Sequence, residues 1–571
     1  MRDEADSHVH FYPLVLPSKQ YISNSGYFME QKAPPRIVGL ETEYAFTPIT
    51  DGKFINDSWG FPLFFLRLFP SSYLCTSNDL FLYNGARVYN DTGGHPEYAT
   101  PECQDVGTLI RYDKAGERMM ERAERFMNQC FLPFENQKLL EWILEFHKFA
   151  SARDRLRWWF ESKNYPVRIY RNNIAINTVS GSKIEGPVSW GFHESYSVPA
   201  KIPWNRLETV LLPFLSTRQI YGGAGWFGQS DGVMEFWMSQ RASVMYLNSN
   251  HQTVSNRSVL NTKNEPLSDK DVYRRLHLIM GDSNMSPWAT WLKVKATCIV
   301  LDMLEDEAFL AGINFNYDNA AGIMRMVARD ISFNRTFQFG GRTHTALSVQ
   351  RFFLDLAKRF YFGEERIEAD EETREALALW EFALDRIYAL DISVLSPYFD
   401  NFAKIHIAEA MLHKRGIETP RYPGFLRSFR VNSETATRLK GFDLSYHRVL
   451  SEESSFMAFQ KSRSCRALKE QAERTLPFLA RDLVPAEAIE HCWWNPPPGR
   501  ATWRYSLIKA AEAYQALRSV QYISLYWDKG SLVDMNTIPI ATFSNDDPHR
   551  ESTEELTEFI EKMSDPPASS V

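Results

Sequence analysis

The chain has 571 residues, and 64 lysines and arginines stand against 71 aspartates and glutamates, so the formal net charge is −7. With 44% hydrophobic and 24% charged residues, the composition is that of a globular protein and not of a disordered chain. The lack of a basic excess argues against a nucleic-acid partner, and no apolar run reaches the ~18 residues that a membrane span needs.

The cysteines and the N-terminus bear on the cellular compartment. The six cysteines are scattered without Cys-x-x-Cys pairs, which argues against a zinc site and against a disulfide scaffold. Met1-Arg2-Asp3-Glu4 lacks the basic-then-apolar pattern of a signal peptide. Together these features predict a reduced, cytoplasmic protein.

Ordered structure is predicted from Arg36 onward. Residues 1–35 show no clear periodicity, so we interpret them as an N-terminal extension. Residues 37–46 alternate polar residues with β-branched and aromatic ones, which predicts a strand. Residues 82–91 have the same character after a break at Asn84-Gly85 and form a second predicted strand.

Apolar residues at helical spacing predict several helices further along, together with a strand at 167–177. The predicted helices are 114–130, 207–221, 292–305, 364–381, 404–414 and 504–519, and residues 131–165 form an inserted helical segment. The resulting division is a large domain (36–475), a small C-terminal domain (476–543) with a rigid turn at Asn495-Pro496-Pro497-Pro498-Gly499, and a mobile acidic tail (544–571) that contains one short helix.

The most informative pattern is the placement of polar residues on single faces of two predicted strands. Alternate side chains of a strand share a face, so Glu41 and Glu43 lie together, as do Arg87, Tyr89 and Asp91. Carboxylates that faced an apolar core would cost several kcal/mol each. The polar face is therefore either the solvated side of an antiparallel sheet or the lining of a cavity.

If the polar face lines a cavity, its residue types fit nucleotide chemistry. Glu41, Glu43 and Glu97 would hold divalent cations, Arg87 would hold phosphate, and Asp91 would be a candidate base. No Gly-x-x-x-x-Gly-Lys loop is present, so ATP would bind on the sheet face through metal ions and not in a P-loop.

Short motifs follow one another in a fixed order from residue 36 to about residue 540. They include Gly39-Leu40-Glu41-Thr42-Glu43-Tyr44, Asn84-Gly85-Ala86-Arg87-Val88-Tyr89-Asn90-Asp91, His95-Pro96-Glu97-Tyr98-Ala99-Thr100, Arg171-Asn172-Asn173, Tyr273-Arg274-Arg275-Leu276-His277 and Gly281-Asp282-Ser283-Asn284-Met285-Ser286. In sequence and order these motifs resemble the Pup ligase and depupylase family, whose members attach or remove the ubiquitin-like protein Pup.

The resemblance implies an α+β fold related to glutamine synthetase and other carboxylate–amine ligases. It implies a large curved, mostly antiparallel sheet packed with helices, ATP and Mg²⁺ on that sheet, and a small C-terminal domain. By motif, the magnesium ligands are Glu41, Tyr89 and Glu97 with Glu43 and His277 as further candidates, the ATP contacts are Arg87 and Thr100, the catalytic aspartate is Asp91, and Tyr522 replaces a C-terminal Trp that ligases place against the nucleotide.

The implied activity is ATP-dependent ligation. The side-chain carboxylate of the C-terminal Glu of a Pup-like modifier would be joined to lysines of target proteins through a γ-glutamyl phosphate. The short 47–80 segment resembles ligases, because depupylases carry a long inserted loop there, whereas Pro101-Glu102-Cys103 resembles depupylases. The family stretch Asn-Thr-Arg-Asp-Glu-Pro-His is Asn261-Thr262-Lys263-Asn264-Glu265-Pro266-Leu267 here.

Three alternatives to a Pup ligase remain at this point. The first is a depupylase or deamidase, which shares Asp91. The second is an ATP-dependent carboxylate–amine ligase that acts on a small molecule. The third is a binding protein with an inactive site, which is disfavoured because the motif residues are all retained.

Overall fold

The computed structural model describes residues 34–50, 53–54, 69–72, 74–75, 79–91, 94–130, 167–174, 188–230, 233–363, 368–416, 429–430, 432–516, 520–534 and 538–564. Most of the predicted N-terminal extension and the whole 131–165 segment lie outside these residues. Every helix within them is too short or too polar to span a bilayer.

The described residues form nineteen β-strands in five sheets. The strands are β1 Val38–Glu43, β2 Ala45–Thr50, β3 Lys53–Phe54, β4 Leu80–Phe81, β5 Arg87–Asp91, β6 His95–Ala99, β7 Val167–Tyr170, β8 Phe192–Pro199, β9 Trp226–Ser230, β10 Val233–Trp237, β11 Leu247–Asn250, β12 Ser258–Asn261, β13 Tyr273–Leu278, β14 Thr336–Phe339, β15 Arg342–Thr345, β16 Phe429–Arg430, β17 Tyr522–Leu525, β18 Lys529–Val533 and β19 Pro539–Ser544.

The same residues form fourteen α-helices. They are α1 Val106–Cys130, α2 Trp204–Thr217, α3 Gln219–Gly222, α4 Pro287–Glu305, α5 Ala320–Ala328, α6 Ala346–Phe362, α7 Glu371–Tyr388, α8 Asp400–His413, α9 Ser433–Tyr446, α10 Ser455–Gln460, α11 Arg463–Glu473, α12 Ala486–Trp494, α13 Arg500–Ala516 and α14 Glu554–Ser564.

The largest sheet contains eight strands in the order β11-β12-β13-β8-β1-β6-β5-β4. β11 and β12 pair in parallel, and each other neighbouring pair of this sheet is antiparallel. We call it the main sheet. Its size and its pairing confirm the predicted α+β fold with a large, mostly antiparallel sheet.

The main sheet has one apolar face and one polar face because side chains alternate along each strand. Leu40 of β1 lies in the larger hydrophobic core with Phe192 and Tyr196 of β8. Helix α1 packs against β1 and helix α4 packs against β8 on this side. Glu41 and Glu43, at the alternate positions of β1, belong to the opposite, polar face.

Several helices begin at residues other than those predicted. Helix α1 begins eight residues earlier, because the Asp105 carboxylate accepts a hydrogen bond from the Thr108 N–H at 2.7 Å. Helix α7 begins later, where Asp370 accepts from the Thr373 N–H at 2.6 Å, and it buries Trp380. The helices predicted at 207, 292, 404 and 504 correspond to α2, α4, α8 and α13, which begin three to five residues earlier.

A second hydrophobic core joins β4 and β5 to the C-terminal part of the chain. It contains Leu80 and Val88 together with Trp503, Leu532 and Leu556. Leu556 belongs to α14, which lies within the tail 544–571 where one short helix is predicted, and it is fully buried. The domain boundaries at residues 475 and 543 stay predictions.

The predicted break at Asn84-Gly85 corresponds to the turn between β4 and β5. This turn lies in close contact with helix α13. Gly85 has φ +79°, and a Cβ there would lie 2.6 Å from the Cβ of Ala501. The Arg504 guanidinium donates a hydrogen bond to the Gly85 carbonyl at 2.9 Å. Position 85 therefore requires glycine both for its left-handed backbone and for its lack of a side chain.

One buried ion pair beneath the main sheet gives a stability prediction. Glu194 accepts two hydrogen bonds from Arg218, at 2.5 and 2.9 Å, and both side chains are at most 1% exposed. Arg218→Met leaves the Glu194 carboxylate buried without its partner, so we expect a loss of about 3–5 kcal/mol in the free energy of unfolding at pH 7. Urea denaturation of both proteins measures this loss.

The control for that measurement is Arg438→Met, which breaks a pair with Glu434 whose two side chains are 47% and 68% exposed. This variant is expected to lose far less stability than Arg218→Met, because solvent screens an exposed ion pair. Burial raises the pKa of Glu194, but Arg218, Lys293 and the hydrogen bond from Tyr196 together outweigh burial and lower it. The Glu194 carboxylate therefore stabilises the protein above the unfolded pKa of Glu, and this contribution is lost as the pH falls. Equal losses in the two variants contradict the prediction.

Candidate active site

Strand register gathers the predicted site residues on the polar face of the main sheet. Pairing of β1 with β6 sets Glu43 opposite Glu97, and pairing of β6 with β5 sets Glu97 opposite Tyr89. Residues directly opposite each other share a face, with Cβ atoms ~5 Å apart. Asp91 is one further step along β5, opposite His95.

Glu43, Asp91 and Glu97 form a cluster of carboxylates. Their closest ligand atoms lie within 4.8 Å of one another. The Tyr89 hydroxyl donates to Glu97 at 2.5 Å, and Nδ1 of His95 lies 2.7 Å from Oε2 of Glu43. Burial, followed by the charges of Glu41, Glu43 and Asp91, raises the pKa of Glu97 well above its usual value. The cluster therefore attracts a proton or a cation.

Glu41 is the centre of a second cluster. Its carboxylate pairs with Arg275, lies 3.1 Å from Nδ1 of His193 and lies 3.3 Å from Nε2 of His277. Burial alone raises the pKa of Glu41, but Arg275 and His277 outweigh burial and hold it well below its usual value. Burial and Arg275 lower the pKa of His277 to about 4, so this imidazole is neutral at pH 7.

Both clusters fit divalent cations. Glu41, His193 and His277 offer ligand atoms within 4.8 Å of one another. His277 Nε2 is buried, and its contact with Glu41 lacks hydrogen-bond geometry, so this nitrogen has no hydrogen-bond partner among the described residues. The all-oxygen cluster around Glu97 suits hard Mg²⁺, whereas the mixed set around Glu41 also suits transition metals.

Arg87 begins β5 and lies opposite Ala99 of β6, which in turn lies opposite Glu41 of β1. It pairs with Asp79 at 2.6 Å, and its guanidinium lies over the Tyr89 ring at 4.3 Å and near the Tyr526 ring at 5.7 Å. The Arg87 side chain is 14% exposed. A guanidinium in this position can bind phosphate oxygens by exchanging its partner.

A pocket adjoins the Glu41 cluster. The cavity volume of this pocket is about 100 Å³, and the pocket opens to solvent. Glu41, Thr100, Arg275 and Trp527 are among the residues that line it. The Thr100 hydroxyl accepts a hydrogen bond from the Leu40 N–H at 3.0 Å, which fixes this side chain beside β1.

Tyr522 is not among the residues that line this pocket. It opens β17, where it pairs with Val533, whereas Trp527 follows that strand and packs edge-on against Phe81 at 5.3 Å. The contact of Tyr522 with a nucleotide stays a prediction, and Trp527, five residues further along the chain, is a second aromatic candidate that lines the pocket.

For four residues of the site, the sequence alone predicts no role. His95, His193 and Arg275 bond to the predicted glutamates, and Trp527 lines the pocket. Arg275 and His277 share one face of β13, and alternation in residues 273–277 is the sequence signal that could have predicted this. Their contact with Glu41 could not be seen, because it depends on which strand lies next to β1 and in which register.

Comparison with known proteins agrees with the motifs. A family model described as Pup-ligase protein matches residues 36–528. The chain belongs to the Pup-ligase family. A Pup–protein ligase of Acidimicrobium ferrooxidans is 31% identical over 504 residues, which cover 86% of this chain and 92% of the relative. A Pup–protein ligase of Xylanimonas cellulosilytica is 28% identical over 92% of this chain and 99% of the relative.

Two solved structures of the Pup ligase PafA are similar to this chain. The crystal structure of PafA in complex with Pup has a TM-score of 0.69 at 25% identity and covers 93% of this chain and 92% of its own. The structure of PafA in complex with ADP has a TM-score of 0.64 at 25% identity and covers 86% and 91%. These matches confirm the family and the fold predicted from the motifs, while the roles of single site residues stay predictions.

Proposed function

We propose that this member of the Pup-ligase family is an ATP-dependent ligase. It joins the side-chain carboxylate of the C-terminal Glu of a Pup-like modifier to lysines of target proteins. The observation that carries the proposal is the carboxylate cluster around Asp91 beside a pocket lined by Thr100 and Trp527. A reaction that uses ATP, and the free cysteines among the described residues, support a cytoplasmic location.

ATP is proposed to bind with its phosphates towards Glu41 and its base towards Trp527. The similarity to the ADP-bound ligase supports this site. Glu41, Tyr89 and Glu97, with Glu43 and His277, are proposed to hold Mg²⁺. When bound, Mg²⁺ offsets the negative charge of the phosphates and of the transferring phosphoryl group.

Activation of the modifier is needed because a free carboxylate is a poor acyl donor. The glutamate oxygen attacks the γ-phosphorus of ATP, the bond to the β,γ-bridging oxygen breaks, and ADP and a γ-glutamyl phosphate form. The Arg87 guanidinium, which lies above the Tyr89 ring, binds phosphoryl oxygens during this transfer. To bind these oxygens, the Arg87 guanidinium gives up its ion pair with Asp79.

Isopeptide formation requires a neutral lysine amine, whereas the reference pKa of Lys is about 10.4. Asp91 is proposed to accept a proton from the attacking amine as the C–N bond forms and phosphate leaves. His95 lies opposite Asp91 and bonds to Glu43, which holds the carboxylates around Asp91 in place.

Glu97→Gln tests the metal assignment separately from the fold. The pKa of Glu97 is raised in the folded protein, so the metal-free protein loses stability as the pH rises through that pKa. Gln does not ionise, so the Glu97→Gln variant does not show this loss. At pH 8 we expect the Tm of the metal-free variant to lie within about 2 °C of wild type or above it. The rise in Tm on adding Mg²⁺ should disappear. A full Mg²⁺ response in Glu97→Gln, measured by calorimetry, contradicts the assignment.

Trp527→Leu and Tyr522→Leu decide which aromatic residue contacts the nucleotide. Trp527 lines the pocket and Tyr522 does not. Loss of an aromatic contact with the base is expected to raise the Kd for ADP about tenfold in Trp527→Leu, which is about 1.4 kcal/mol. Titration calorimetry should show no change in Tyr522→Leu. Equal effects in the two variants overturn the placement of the base.

The activity itself is tested with ATP, Mg²⁺, a modifier ending in Glu and a lysine-bearing protein. The expected product is a conjugate linked by an isopeptide bond, detected by mass spectrometry of the modified lysine. A parallel reaction begins from a preformed conjugate. If that conjugate is cleaved and none is formed, the chain is a depupylase and the ligase proposal fails.

A further inference from the structure

Three stretches that are distant in sequence meet at one end of the pocket. The loop before β13 contributes Leu267, helix α13 contributes Arg500, and the stretch after β19 contributes Pro548. The rings of His549 and Tyr273 lie 6.2 Å apart, which places this end at the start of β13. β13 reaches His277, which contacts Glu41, two strand steps further on. We call Leu267 and residues 545–549 the outer wall.

Arg500 fastens both halves of the outer wall to the main sheet. Its guanidinium donates to the Leu267 carbonyl at 2.5 Å, and its backbone N–H donates to the Pro548 carbonyl at 3.0 Å. It also pairs with Glu102, next to β6, at 2.8 Å. Arg500 is 4% exposed, so these contacts are shielded from water.

The stretch 545–549 has a defined conformation. Asn545 is 1% exposed, donates from its side chain to the Arg550 carbonyl at 2.9 Å and accepts from the Asp547 N–H at 3.2 Å. At Gly499, in the Pro-rich turn, φ is +106°, and a Cβ would lie 2.7 Å from the Pro548 oxygen. The Pro-rich turn therefore brings the backbone of α13 against the outer wall, where a larger residue would not fit.

Leu267 has a left-handed backbone with φ +52°, which is strained for a branched side chain. Strain of this kind persists where surrounding contacts fix it, and it is frequent at binding sites. Here the hydrogen bond from Arg500 to the Leu267 carbonyl fixes the left-handed backbone of Leu267.

We propose that the outer wall closes the base end of the nucleotide pocket and sets nucleotide affinity and base selectivity, with Arg500 as its positioning residue. The inference rests on the proposed ATP-binding function. Residues 545–549 lie beyond the 36–528 match to the family model, so this half of the wall is not part of the matched region. Its apolar side chains, Leu267 and Pro548, face the same space as Trp527.

The test measures binding of ADP and GDP, each with Mg²⁺, to the full chain by titration calorimetry. Leu267→Gly removes the side chain and suits φ +52°, so the fold is retained while the Kd for ADP rises about tenfold. Pro548→Ala, which keeps the carbonyl that Arg500 contacts, is expected to raise it about threefold. Selectivity for ADP over GDP should fall in both variants, and the KM for ATP should rise with little change in kcat.

Leu390→Gly is the matched control, because Leu390 also has a left-handed φ of +55° but is 44% exposed and does not line the pocket. It should leave the Kd for ADP unchanged. If wild type itself does not bind ADP, the proposed nucleotide site fails and the inference fails with it. If wild type binds ADP while Leu267→Gly and Pro548→Ala keep its affinity and selectivity, only the role proposed for the outer wall is contradicted.

Discussion

Asp91→Asn is expected to reduce the rate of conjugation by about 10²–10⁴-fold, the range for loss of a general base. The substitution keeps the size of the side chain and removes the oxygen that accepts the lysine proton. Asp91 lies within the carboxylate cluster of Glu43 and Glu97 and does not line the nucleotide pocket, so the Kd for ADP should stay close to that of wild type. Single-turnover conjugation assays and titration calorimetry measure the two quantities.

Asp271→Asn is the control for that experiment. Asp271 is exposed and lies just before β13, so its substitution should change neither rate nor affinity. Formation of γ-glutamyl phosphate, followed as ADP release without a lysine acceptor, should continue in Asp91→Asn. If Asp91→Asn conjugates at the wild-type rate, Asp91 is not the general base.

Glu41→Gln is expected to weaken Mg²⁺-dependent binding of ADP by about 10²-fold or more, since loss even of a residue supporting a metal ligand typically costs 10–100-fold. The neutral amide cannot balance Arg275 or ligate a cation in place of the carboxylate. The variant should also be less stable at pH 7 by about 1–3 kcal/mol, because the Arg275–Glu41 pair is only partly buried and lies between the exposed and buried cases.

The pH dependence of that stability difference follows from the lowered pKa of Glu41. The carboxylate stabilises the folded protein above its unfolded pKa, and this contribution is lost as the pH falls through the folded value. Denaturation of wild type and Glu41→Gln should therefore differ most near neutral pH and converge in acid. Glu265→Gln, which removes one partner of an exposed ion pair with Lys263, is the control. Unchanged Mg²⁺-dependent ADP affinity in Glu41→Gln contradicts the metal assignment.

Strand alternation made much of the site predictable. Glu41 and Glu43 had to share one face of their strand, and Arg87, Tyr89 and Asp91 one face of theirs, whatever the tertiary fold. Which strands adjoin them is a long-range property, so the bonds of Glu41 to His193 and Arg275 required the structure. Alternation alone could not show that the Glu41 face and the Arg87 face belong to one site. The motifs and their order predicted this through the family resemblance.

The errors have local causes. Helix α1 begins at a capping Asp105 that precedes the apolar period by several residues. Sequence alone does not decide between Tyr522 and Trp527 as the nucleotide contact, because a short motif near the C-terminus can be aligned in more than one register. The β17–β18 turn, which brings Trp527 to the pocket, is a backbone feature that residue type alone does not fix.

The contact of Gly85 with helix α13 determines when the site can form during protein synthesis. Arg504 and Gly85, joined by a hydrogen bond, are separated by 419 positions. At a synthesis rate of ~5–20 residues per second, a ribosome needs about 20–80 s to add those residues. Throughout that interval the hairpin bearing Arg87, Tyr89 and Asp91 lacks the helix that covers its turn. Nascent chains are therefore expected to acquire activity only after helix α13 has left the ribosome.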